Sequence, residues 1–272
     1  PSANLENALD RCGTAVFFSA TMTPVDYFKR LLGCGESVKT LVLGSPFPPE
    51  NLCVLIAEGV STRYRLRDRT KERLARMLAS IAGHRRGNYL FFFPSYEYMR
   101  MVHEVFASLV TGAEILLQGP GMVEEERERF LDRFRCENPD TLAGFAVMGG
   151  IFGEGIDLVG DRLDGAVVVG VGLPGISPEN ELIRDYFQEK GGSGFDYAYL
   201  YPGINRVLQA AGRVIRTGED RGVVLLIDDR FSSSRYRPLL PGEWRPVRFH
   251  TLQDLESILS EFWEGSRRGE RG

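Results

Sequence analysis

The sequence predicts an α/β fold with a mainly parallel sheet flanked by helices on both faces. Short apolar runs alternate with stretches of helical periodicity along nearly the whole chain, the pattern of repeated βαβ units. The apolar runs are continuous rather than alternating, as in strands covered on both sides. Hydrophobic residues make up 43% of the 272 residues and charged residues 26%, enough apolar surface to bury a single large core.

The elements follow in order. Ala15–Ser19 and Leu41–Leu43 read as strands, with a helix Pro24–Leu32 between them. Leu52–Ala57 is the next strand. Asp68–Ile81 is a helix because Leu74, Met77, Leu78 and Ile81 recur on one side. The aromatic run Asn88–Phe93 is a strand, and Ser95 is placed to cap the helix Ser95–Val110. Strand Glu114–Gln118, helix Val123–Cys136 and strands Gly144–Met148 and Gly165–Gly170 come next. Ser177-Pro178 sets a cap and a first-turn proline for helix Pro178–Lys190, which Gly191-Gly192 closes. Pro202 opens a helix reaching Arg216, Gly222–Asp228 is a strand, and Leu252–Phe262 is the last helix. The whole chain, 1–272, reads as one domain with a frayed, charged tail at 265–272.

No apolar run has the length of a membrane span. The N-terminus lacks a charged-then-apolar leader pattern, which predicts a cytoplasmic protein with no membrane partner. Cys12, Cys34, Cys53 and Cys136 form no CxxC pair and read as buried, reduced thiols; with three scattered histidines they complete no metal spacing. Net charge is −4, but Val60–Arg86 carries nine Arg/Lys against Asp68 and Glu72. This stripe is either a phosphate footprint or a solvated face.

Three segments carry chemistry. Gly170-Val171-Gly172-Leu173-Pro174-Gly175 follows a strand and fits G-x-G-x-x-G, the pyrophosphate turn of a dinucleotide-binding fold. Pro174 falls where that helix has to begin, so the match is poor. Met148–Asp157 is a glycine-rich loop after a strand, with Glu154 and Asp157 beside glycines whose N–H groups can converge on an anion. The third is Gln209-Ala210-Ala211-Gly212-Arg213-Val214-Ile215-Arg216. On a helix, Arg206, Gln209, Arg213 and Arg216 fall within about 80° of one another, opposite Val207, Leu208, Ala211, Val214 and Ile215. A row of forked guanidiniums suits phosphate oxygens. Gly212 inside that helix suggests a close neighbour.

Read in order, these segments resemble the C-terminal motor half of superfamily 2 helicases of the XPD and DinG type. Phe17–Pro24, with Ser19-Ala20-Thr21, resembles the third helicase motif, Leu90–Tyr96 the fourth, and Gly149–Asp157 with Gly160-Asp161 the fifth. Tyr201-Pro202 and Gln209–Arg216, with Asp220, Gly222 and Asp228–Phe231, resemble the sixth and its flanks. The resemblance spans residues 14–241 and implies a RecA-like sandwich. It implies that Gln209, Arg213 and Arg216 face ATP, with Arg213 as arginine finger. It further implies that Glu154, Gly155 and Asp157 line the ATP cleft. Ser95, Tyr96, Gly149, Gly150 and Phe152 would face single-stranded DNA, and Ser19, Ala20 and Thr21 would couple hydrolysis to DNA grip.

There is no G-x-x-x-x-G-K-[ST], no acidic Mg²⁺ box and no four-cysteine iron–sulfur insertion. The chain is therefore expected to be the second half of an ATP-dependent DNA helicase motor. ATP and Mg²⁺ would be needed by the full-length parent and no cofactor by this half, which would be inactive alone. Its partners would be single-stranded DNA and the missing N-terminal motor domain, to which residues 1–33 would belong as a strand and helix. The alternatives are an NAD-dependent oxidoreductase using the Gly170–Gly175 loop, or a non-catalytic scaffold module.

Overall fold

The structure, a computed structural model, describes residues 2–9, 11–34, 38–135, 138–149, 152 and 163–269. Seven strands form one sheet: β1 Leu52–Ala57, β2 Asn88–Phe93, β3 Ala113–Leu117, β4 Thr141–Val147, β5 Gly165–Val169, β6 Gly222–Ile227 and β7 Val247–Phe249. Their order is β3-β4-β2-β5-β6-β1-β7, and every pairing is parallel. The helices are α1 Ser2–Leu9, α2 Val25–Leu31, α3 Arg67–His84, α4 Tyr96–Leu109, α5 Glu124–Asp132, α6 Pro178–Glu189, α7 Tyr201–Ala211 and α8 Leu252–Gly269.

Side chains alternate between two apolar layers, as the two-residue strand period requires. On one side Val54, Ile56, Leu90, Phe92, Val168 and Leu226 meet Phe130 of α5 and Ile204, Val207 and Leu208 of α7. On the other, Leu55, Phe91, Phe93, Val167 and Leu225 meet α3, α4 and α8 through Leu74, Leu78, Tyr98, Val102, Phe106, Leu255 and Leu259. All six residues of β2 are buried, which is why its sequence carries no polar alternation.

Some expectations change. Ala15–Ser19 and Leu41–Leu43 join no ladder among the described residues, leaving Phe18 89% and Leu41 82% exposed. Their apolar character signals strand propensity, but a strand needs a partner. β7 is three residues long with two of them exposed, too little for a pattern. α8 runs past Phe262 to Gly269, so helix replaces most of the expected frayed tail. Arg221 stacks on Phe262 at 4.2 Å and Arg85 on Trp263 at 4.1 Å, pinning that helix beyond its aliphatic face. The thiols are not uniformly buried: Cys12 is exposed, and Cys34 and Cys53 are half-buried and free. Burial pushes the Cys53 thiol up to about 11, though Arg221 draws it back slightly. Cys136 lies outside the described residues.

Candidate functional site

Ligand-facing loops of an open parallel sheet gather at the carboxyl ends of its strands, and several candidate residues lie there. After β2 the chain turns at Pro94, and Ser95 caps α4 by accepting the Tyr98 N–H at 3.3 Å on Oγ. Arg67 approaches from α3 and donates to the same Oγ at 3.4 Å and to the Thr62 carbonyl at 3.2 Å. Its guanidinium lies 4.7 Å from the Tyr98 ring and 5.4 Å from that of Tyr64. The Tyr96 hydroxyl accepts from Gln118 Nε2 at 2.9 Å, while Gln118 Oε1 accepts the Val147 N–H at 2.7 Å. Gln118 is buried and joins the ends of β3 and β4 to the start of α4. Sequence reasoning misses it, since a lone glutamine after a strand carries no signal of its partners.

Gly149 follows β4 with φ +71°, in the left-handed region, and Arg206 of α7 lies across it. Phe152 does not reach the surface: it is fully buried, with its ring 4.6 Å from that of Phe130. Its side chain packs into the apolar layer under α5 rather than facing a ligand. Gly150, Glu154, Gly155 and Asp157 lie outside the described residues.

At the end of β6, beside the chain that leaves β1, Asp228 is fully buried. Its Oδ2 accepts from the Thr62 N–H at 3.2 Å, from the Thr62 hydroxyl and from Arg230 Nη2 at 2.9 Å. Its Oδ1 accepts from Arg230 N and Nε at 2.9 and 2.7 Å. Burial alone raises a carboxyl pKa, but the Arg230 and Thr62 donors more than offset it and hold Asp228 below the ordinary value.

The arginine segment is built differently from the sequence expectation. α7 ends at Ala211, and Gly212 is its C-cap, donating to the Leu208 carbonyl at 2.8 Å. Gln209 is on the helix, but Arg213 and Arg216 follow it in a turn, so the three do not share a helix face. Val214 remains buried, packed where a Cβ on Gly222 would stand; the core demands an apolar residue there without requiring helix. Arg213 is 5% exposed, whereas Arg216 is exposed. The buried Asp220 fixes the turn, its Oδ2 accepting the backbone N–H of Arg216 at 2.6 Å and of Thr217 at 2.8 Å. The segment precedes β6, so it stands at the opposite end of the sheet from Ser95, Tyr96 and Gly149.

The third candidate stretch docks on α7. Asn205 Nδ2 donates to the Thr23 carbonyl at 2.6 Å, and Tyr27 of α2 packs against Tyr197 and Tyr201. Ser19 and Ala20 are exposed and Thr21 half-buried; Ser19 Oγ accepts the Thr21 N–H at 3.2 Å.

The middle of the Gly170–Gly175 turn is packed against the start of α7, whereas Gly175 stands in open space. A Cβ on Gly172, whose φ is +68°, would collide with the Gly203 carbonyl oxygen, and one on Gly203 would stand 2.8 Å from that of Val171. These glycines let α7 start against the end of β5.

A parallel sheet of this order, covered on both faces and carrying an arginine turn before β6, defines the class: a RecA-like α/β domain. The chain belongs to the Helicase C-terminal domain family, whose profile matches residues 78–247. It is 29% identical over 247 residues to the ATP-dependent DNA helicase DinG of Photobacterium profundum, covering 88% of this chain and 35% of that protein. It is 30% identical over 233 residues to the ATP-dependent DNA helicase YoaA of Escherichia coli, covering 82% of this chain and 34% of that one. The chain thus spans about a third of the length of the relatives it matches. A solved apo XPD aligns over 85% of this chain and 47% of its own, with a TM-score of 0.64 at 22% identity, a likeness of fold. These relatives are helicases rather than nicotinamide-dependent enzymes, and the oxidoreductase reading of Gly170–Gly175 has no support. No helix among the described residues is long and apolar enough to cross a membrane.

Proposed function

We propose that this chain acts as the second motor domain of an ATP-dependent DNA helicase, working with a first motor domain that holds the nucleotide and Mg²⁺. One observation carries this reading: a single helix, α7, touches three of the motif-like segments. Asn205 holds Thr23, Arg206 covers Gly149, and its end delivers Gln209, Arg213 and Arg216. A helix so connected is suited to pass a change at the nucleotide to the nucleic-acid track.

In this reading Arg213 and Arg216 meet the γ-phosphate of ATP seated on the other domain, with Gln209 beside them. Phosphoryl transfer requires a phosphate cradle and metal on one side and a cationic finger on the other; this chain supplies the finger. Ser95, Tyr96, Gly149 and Gly150 contribute to the single-stranded DNA track, with Phe152 anchoring it. Glu154, Gly155 and Asp157 are assigned to the ATP cleft by resemblance alone. Ser19, Ala20 and Thr21 form the coupling stretch, and residues 1–33 are assigned with them to the first motor domain's side.

The test is ATP hydrolysis by the full-length protein carrying Arg213→Ala. The expected loss is about 10³–10⁵-fold in rate with nucleotide affinity largely kept, little rescue by Arg213→Lys, and no turnover by the present chain alone. Activity within a few-fold of the parent would remove Arg213 from the finger role.

A further inference from the structure

We propose that Tyr64 is a base-stacking platform for single-stranded DNA, extending the track of the proposed function beyond Ser95; the inference rests on that reading. Tyr64 is 71% exposed, at the start of a single tight turn, Tyr64–Leu66, that leads from the end of β1 into α3. A lone exposed tyrosine requires no explanation. This one is held in place from below and beside.

The residue two before it, Thr62, is fixed by the buried carboxylate of Asp228 through both its N–H and its hydroxyl. The turn closes with the Leu66 N–H on the Arg63 carbonyl at 2.8 Å. Thr70 of α3 reaches back to the Ser61 carbonyl at 3.2 Å. Arg67 then lies between the rings of Tyr64 and the buried Tyr98 and donates to Ser95 Oγ. The ring of Tyr64 therefore stands one guanidinium away from the residue that opens the expected track.

The charges around it are unequal. Arg63 is occupied by Asp229 at 2.6 Å, and Arg73 by the carbonyls of Glu58, Gly59 and His250. Asp68, the acidic residue nearest in sequence, is taken by Lys71 at 2.7 Å. Arg65 and Arg69, one and five residues further on, are exposed cations. An exposed π-face backed by the Arg67 guanidinium, with two more exposed arginines close in sequence and continuous with a phosphate-facing helix cap, has the composition of a sequence-tolerant single-strand site. There bases stack on aromatic rings and arginines track the backbone.

The experiment compares two strands of equal length, an oligo-dT and an abasic oligomer with the same phosphates, by fluorescence anisotropy with this chain at several salt concentrations. Tyr64→Ala is expected to weaken oligo-dT binding roughly 5- to 100-fold without changing abasic-strand affinity or thermal stability. Tyr64→Phe is expected to bind like the parent, since the ring and not the hydroxyl acts. Arg65→Ala and Arg69→Ala are each expected to lower the slope of log K against log salt by about 0.7. An equal Tyr64→Ala penalty on both strands, or none on either, overturns the platform. If Tyr64→Ala is silent while Ser95→Gly weakens binding, the platform falls and the track stands. If no strand binds at low salt, both fall, and the exposed ring is left as a surface for protein contact.

Discussion

The guanidinium of Arg206 lies against the backbone of Gly149: a Cβ on Gly149 would stand 3.0 Å from its Nε and 3.1 Å from its Cζ. The loop after β4 and the middle of α7 thus share one contact surface, and Gly149 holds φ +71° beneath it. Two separable costs follow for Gly149→Ala, backbone strain of about 1–2 kcal/mol and displacement of Arg206. Urea unfolding of Gly149→Ala, Arg206→Ala and the double variant separates them. The double variant is expected to recover the steric part and keep the strain.

Gly172→Ala is expected to destabilise the domain by more than the roughly 1–3 kcal/mol typical of overpacking. Its Cβ meets a backbone oxygen and its φ is left-handed. Thermal unfolding reads this directly. NADH titration of the parent is expected to give no saturable fluorescence change, because the backbone of Gly203 abuts Gly172 in the middle of that turn.

Asp228→Asn removes the charge that Arg230 and Thr62 surround. Breaking a largely buried pair by altering one partner costs about 3–5 kcal/mol. Asp228 is held below its unfolded pKa. Its stabilisation is therefore fully present above about pH 4 and is lost as pH falls through the folded value. Chemical unfolding at neutral pH is expected to show the full difference between parent and variant. The gap closes only in acid, below the ordinary carboxylate range.

Asp220→Ala releases the amides of Arg216 and Thr217 together. Hydrogen bonds to a charged acceptor contribute about 1.5–3 kcal/mol each, so a loss of about 3–6 kcal/mol is expected in urea unfolding. Hydrogen exchange at those two amides is expected to be faster in the variant than in the parent.

The parts of this architecture legible in the sequence are those where one local rule suffices. β1, β2, β5 and β6 show as unbroken apolar runs because both of their faces are covered. The Ser95 and Ser177 caps show because each serine precedes a helix and serves its third amide. The end of α7 does not show, because Val214 and Ile215 continue the apolar spacing for a reason unrelated to helix, namely packing on the amino end of β6. The unpaired Ala15–Ser19 and Leu41–Leu43 mislead for a complementary reason: propensity is local, whereas a ladder requires a neighbour. In the site, Gln209 and Arg213 stand out as residue types, but their separation between helix and turn depends on Asp220, seven residues beyond Arg213. Gln118 and the Arg67–Tyr64 stack are invisible, since each depends on partners tens of residues apart or on which ring stays exposed.

The position of β1 in the sheet has a consequence for how the chain comes into being. It is the first of the described strands to be synthesised, yet its partners are β6 and β7, with Leu52 in register with Gly222. At about 5–20 residues per second, roughly 10–30 seconds of translation separate the two ends of that pairing. β2, β3, β4 and β5 can meanwhile assemble among themselves. Throughout that interval Leu-Cys-Val-Leu-Ile-Ala is an apolar segment with both edges open. Co-translational assembly of this domain therefore takes in its oldest strand only once β6 is made, and a ribosome stalled before Gly222 holds a chain with β6 and β7 still unmade and β1 unpaired, prone to aggregate.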